Sequence, residues 1–156
     1  MRSLTFLLVP ALLLIVGMNQ TVEAQNPIDS GHPVVTSLAS DPGMAQVFLD
    51  AGIITVVADP TLPSGVGVSV DCAAALDAIN EMEQMIIDAR DDYLWEHQYY
   101  DEECQNMAET GEWDQDWLDQ CLKDLNEARD YWHLLEAAFR PAIAMLHSLR
   151  GAAGCP

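Results

Sequence analysis

Residues 118–149, LDQCLKDLNEARDYWHLLEAAFRPAIAMLHSL, decide the fold class. Steps of seven from Leu118 meet Leu125, Trp132, Phe139 and Leu146; steps of seven from Cys121 meet Ala128, Leu135, Ala142 and Leu149. Two such apolar lines form one stripe along an α-helix, and a stripe of this length predicts packing against another helix. Pro141 lies inside the run, but the repeat continues through it, so a kink rather than a break is expected. Asp114 is the expected N-cap, with Trp113 and Leu118 spaced as a hydrophobic staple. Gly151 and Gly154 mark the far end.

Upstream, Asp71 is a plausible N-cap for a first long helix. Counting in sevens from Cys72 meets Ile79, Ile86, Tyr93, Tyr100 and Met107, flanked by Ala75, Leu76, Met82, Ala89 and Cys104. Glu83, Arg90, Glu96 and His97 dilute this stripe. Arg129 is expected to meet Glu96. Only Glu109-Thr110-Gly111-Glu112-Trp113 separates the helices, and so short a link predicts antiparallel neighbours. The fold class expected is mainly α: a coiled-coil-like helical hairpin over residues 71–156.

The four cysteines test that expectation. Cys72 and Cys104 are 104 − 72 = 32 residues apart, about 48 Å along one helix, and cannot bond each other. Pairing Cys72 with Cys121 would join the open end to the tip. Elimination leaves Cys104–Cys121 near the turn and Cys72–Cys155 at the open end.

Residues 41–70 read as a short helix and an extended segment. Asp41-Pro42 is a cap followed by proline at the first helical position, the helix ends at Gly52, and Ile53–Ala58 (IITVVA) suits a short strand. Asp59–Gly67 is rich in turn residues. Residues 25–40, with Pro27, Gly31 and Pro33, read as a flexible linker. A further apolar line, Tyr131, Leu134, Ala138 and Met145, lies near Met85 and Ile87 in the expected hairpin. The apolar N-terminal segment is expected to cover it at the base of the hairpin; a homodimer surface is the alternative.

The chain opens with Arg2, an apolar run from Leu4 to Val16, and Val22-Glu23-Ala24, the pattern of a signal peptide (residues 1–24) cut after Ala24. A secreted or periplasmic location follows, and with it a compartment in which disulfides form. No membrane contact is expected after cleavage.

The 156 residues carry 25 acidic and 6 basic side chains, a net charge of −19. No basic face is left for nucleic acid. The acids crowd one region: Asp101, Glu102, Glu103, Glu109, Glu112, Asp114, Asp116 and Asp119, with no base among them and with Trp113 and Trp117 interspersed. Such a patch suits a basic protein partner, the tryptophans acting as anchors. Calcium is the alternative ligand, although no D-x-[DN]-x-[DN]-G loop is present. A solvated surface, or adaptation to salt by a chain whose one lysine is Lys123, would leave the same composition. Catalytic motifs are missing and the cysteines Cys72, Cys104, Cys121 and Cys155 are committed to disulfides, so an enzyme is not expected. Asp92, Asp130 and His133 form a weak metal candidate, and a shielded cleft around them would favour an enzyme. The functional expectation is an exported binding or structural module with an acidic tip; an acidic inhibitor of a secreted enzyme is a sharper form of it.

Overall fold

Two long helices hold just over half of the described residues, and a small sheet is built from the residues before them. A computed structural model describes residues 26–111 and 115–156, except for the side chains of 107–109. In order, the elements are β1 (Ile28–Asp29), α1 (Pro33–Ala39), α2 (Pro42–Asp50), β2 (Ile54–Ala58), β3 (Val66–Val70), α3 (Cys72–Tyr99), a π-helical turn (Tyr100–Cys104), α4 (Gln105–Thr110) and α5 (Gln115–Ala153). The expected signal peptide, and Glu112, Trp113 and Asp114, lie outside the described residues. The chain divides into two compact units. One runs up to Leu76 and resumes at Met145; the other is Asp77–Ala144.

In the first unit, β3 is the central strand, antiparallel to both neighbours. Ile28 lies opposite Val68, and the β2 pairing runs from Ile54↔Val70 to Ala58↔Val66. Inward side chains Ile28, Ile54, Val68 and Val70 are buried, as are Phe48, Ile53, Leu146 and Leu149. Gly67 is needed where it stands: a Cβ there would lie 2.8 Å from the Ile28 carbonyl oxygen and meet the Leu62 side chain. Asp29 fixes the adjacent turn. Its carboxylate accepts from the Ser64 hydroxyl (2.6 Å) and N–H (3.0 Å) and from the Gly31 N–H (2.9 Å). These bonds favour its charged form and hold the carboxyl below the usual carboxylate range.

The linker expected over 25–40 is corrected from Ile28 onward, where β1 begins. Pro33 starts α1 with its fixed φ, and His32 Nδ1 accepts from the Val34 N–H at 3.3 Å as the N-cap. Val35 and Leu38 then bury one face of this seven-residue helix. One apolar pair is too little for a helical period to register in the sequence.

The start of α3 and the end of α5 are capped side by side in this unit. The Asp71 carboxylate accepts from the N–H groups of Ala73 and Ala74, both at 3.0 Å, while the Asp71 N–H donates to the Ile53 carbonyl at 2.8 Å. At the other end, Gly154 is left-handed (φ 72°), its N–H donates to the Gly151 carbonyl, and the Cys155 N–H donates to the Arg150 carbonyl at 2.9 Å. That is a Schellman closure, and it turns the chain so that Cys155 bonds Cys72.

In the second unit, Ile86 and Ala89 of α3 pack with Leu135 of α5, flanked by Met85, Trp132, Phe139 and Ile143. The Tyr93 and Trp132 rings stack at 5.5 Å. Helix α5 continues through Pro141, and none of its ten heptad positions is exposed. The extra apolar line is different: Tyr131 and Leu134 are each 52% exposed. Arg129 bonds its neighbour Asp130 at 2.9 Å rather than Glu96. No helix among the described residues is long and apolar enough to cross a membrane.

Candidate functional site

The first helix loses its α register at the start of the acidic segment. Steps of seven along its flank run Ala75, Met82, Ala89, Glu96 and would next reach Glu103. A π turn from Tyr100 to Cys104 winds more slowly than an α-helix, so one extra residue is accommodated. Cys104 takes the inward position, fully buried, and bonds Cys121. Glu103 falls back onto the face that carries Trp95 and Tyr99.

That face holds an open cleft of about 230 Å³, lined by Trp95, Gln98, Tyr99, Glu102 and Glu103. The first four are spaced i, i+3, i+4 and i+7, which places them on one side of the helix. Trp95 is 62% exposed although it is the largest apolar side chain of the segment. Its ring stacks on Tyr99 with centroids 5.6 Å apart and planes 7° from parallel. Gln98 Nε2 donates to Glu102 Oε1 at 2.9 Å and holds that carboxylate at the rim. Exposed aromatic faces beside two carboxylates can attract a cation through both the ring quadrupole and direct charge.

The other expected site residues are distributed around this cleft or apart from it. Asp101 is exposed, with His97 Nδ1 at 3.1 Å. Asp116 and Asp119 are exposed, and Asp119 accepts from Gln115 at 2.8 Å. Trp117 is half-buried. The Glu109 side chain and the residues Glu112, Trp113 and Asp114 lie outside the described residues. The described bases do not balance these acids. Arg90, Lys123, Arg129 and Arg140 each meet a carboxylate on their own helix, and no lysine or arginine lies between Arg90 and Lys123.

Glu96 interrupts the inward stripe of α3. Partial burial, then the nearby charges of Asp124 and Asp92, push its carboxyl above the usual carboxylate range. Asp92, Asp130 and His133 do not form a metal set. His133 stacks on Trp132 at 4.6 Å and has Glu136 at 3.8 Å, while Asp130 takes Arg129. Among the described residues no three His, Cys, Asp or Glu side chains converge on one point.

Trp95 and Tyr99 escape a heptad reading because they stand off the apolar stripe. The signal for them is W-x-x-x-Y-x-x-E-E over residues 95–103, an aromatic and acidic line at helical spacing. No protein family, curated protein or solved structure matches this chain.

Proposed function

We propose that this protein is an extracytoplasmic, non-enzymatic binding module that presents its acidic segment to a basic protein partner. One observation carries the reading: the exposed Trp95–Tyr99 pair stands beside Glu102 and Glu103 in a stretch without a single lysine or arginine. A large aromatic surface left in water costs solvation free energy, and its place among acids matches the composition of an anchor for a cationic surface. Opposite charge then speeds encounter. The two disulfides support an oxidising compartment.

The finer architecture belongs to the same reading. Helices α3 and α5 form an antiparallel hairpin whose tip is the acidic end. Support comes from the direction of the pairings: as residue numbers rise through Ile86, Tyr93 and Cys104, their partners fall through Leu135, Trp132 and Cys121.

The test is titration of the oxidised protein with a fluorescent hexalysine peptide and with an uncharged peptide of equal length. Binding of the basic peptide alone, weakened as salt rises toward about 1 M, is the expected result. Neutralising Asp101, Glu102 and Glu103 together should reduce it more than neutralising Glu81, Glu83 and Asp88. Equal losses from both triple variants would reduce the effect to general charge and overturn the reading.

A further inference from the structure

We infer that the Trp95–Tyr99 cleft receives the side chain of one arginine of the partner, its guanidinium stacked on the exposed ring pair and its N–H groups donated to Glu102 and Glu103. The inference rests on the acidic-end reading and specifies the residue that the acidic end selects.

Size limits the occupant first. A cleft of about 230 Å³ is below the roughly 300–1,000 Å³ of small-molecule sites, and it is open along one side. It accommodates one side chain whose backbone remains outside. Charge limits the occupant next, because the polar lining is Gln98 and two carboxylates.

Ring geometry separates the two cationic side chains. An aromatic cage surrounds an ammonium group with faces turned toward it. Here the two rings face each other, 5.6 Å apart and nearly parallel, leaving no room for a cation between them. What they offer is a flat outer face. A planar guanidinium stacks on such a face and still directs its N–H groups sideways, whereas a tetrahedral ammonium gains little from flatness.

The carboxylates are placed for those N–H groups. Gln98 holds Glu102 through Oε1. The Glu103 side chain has no hydrogen bond or ion pair to a described residue, and the π turn has moved it off the inward stripe onto the cleft. Slow-wound turns of this kind often re-aim a side chain at a binding site. A regular α-helix would have put Glu103 where Cys104 now bonds Cys121.

The experiment compares labelled hexa-arginine with labelled hexalysine on the oxidised protein at low salt, using wild type, Trp95→Ala and Glu103→Gln. Wild type should bind the arginine peptide about tenfold more tightly, the scale of one well-placed stacking contact. Trp95→Ala should bring the two affinities within about twofold by weakening the arginine peptide alone. Glu103→Gln should weaken the arginine peptide more than the lysine peptide. Unchanged helical circular dichroism in both variants excludes a folding explanation, and both positions are exposed. Equal affinity for the two peptides in wild type, or a loss in Trp95→Ala shared equally by both, overturns the arginine cleft and leaves the acidic-end reading standing. Absence of binding by either peptide overturns both.

Discussion

Glu103 lines the open cleft beside Trp95, while Cys104, the next residue, is fully buried in a disulfide with Cys121. Consecutive residues on a helix are 100° apart, so some difference is expected. The π turn decides which of the two faces inward. It lets an acidic surface line and a buried covalent tie occupy the same segment without a glutamate on the packing stripe.

Substitution at these two positions therefore has different consequences. Glu103→Gln should change unfolding free energy by less than about 0.5 kcal/mol. Replacing Cys104 and Cys121 by alanine should cost about 3 kcal/mol, for a loop of separation 17. Replacing Cys72 and Cys155 should cost more, about 4.5 kcal/mol, because their separation is 83. Urea denaturation of each variant gives the order of the losses.

Leu134 and Leu135 are a second contrasting pair. Leu135 is 3% exposed and packs against Ile86 and Ala89, whereas Leu134 is 52% exposed. Leu135→Ala should destabilise by about 2–4 kcal/mol through lost burial and a residual cavity. Leu134→Ala should stay within about 0.5 kcal/mol of wild type. Thermal unfolding of both proteins is the measurement.

Acid should act with opposite signs at Glu96 and Asp29. The Glu96 carboxyl is raised, so the folded state takes up its proton before the unfolded state does, and folding gains as pH falls through that range. Glu96→Gln should stabilise the protein at neutral pH and remove that gain. The Asp29 carboxyl is held below its ordinary 3.8, so its contribution is present above that value and is lost as pH falls toward the lowered one. Asp29→Asn should destabilise at neutral pH, and its difference from wild type should shrink in acid. Denaturation midpoints across pH for the two variants give both signs.

Glycine has two different uses here. Gly67→Ala brings a Cβ against the Ile28 carbonyl and Leu62, and should cost about 1–3 kcal/mol. Gly151→Ala meets open space within α5 and should gain up to about 1 kcal/mol from helix propensity. Opposite shifts in melting temperature are expected.

The helices are legible in sequence for a plain reason. A repeat of seven held over Leu118–Leu149 has one geometric solution, and Asp71 and Gly154 carry standard cap chemistry at the ends. The disulfides are legible because a helix is a ruler: Cys72 and Cys104 are too far apart to meet, and the pairing left by elimination is the pairing in the structure. β3 is harder to read. Val66-Gly67-Val68-Ser69-Val70 alternates as a strand should, but Gly65 and Gly67 give it the composition of a turn. Helix α1 hides behind Pro33 and a histidine cap. The cleft was not readable from periodicity because its residues define themselves by what they leave exposed. A π turn has no signature in spacing until a buried cysteine reveals the shift.

The Cys72–Cys155 bond has a topological consequence. It makes the chain from one cysteine to the other a covalent ring, and Cys104–Cys121 is a chord across it. A protease that cuts this ring once releases nothing: the molecule gains one water in mass and stays whole until it is reduced. Two cuts, one between Cys72 and Cys104 and one between Cys121 and Cys155, free the segment between them as a single piece still closed by its own chord.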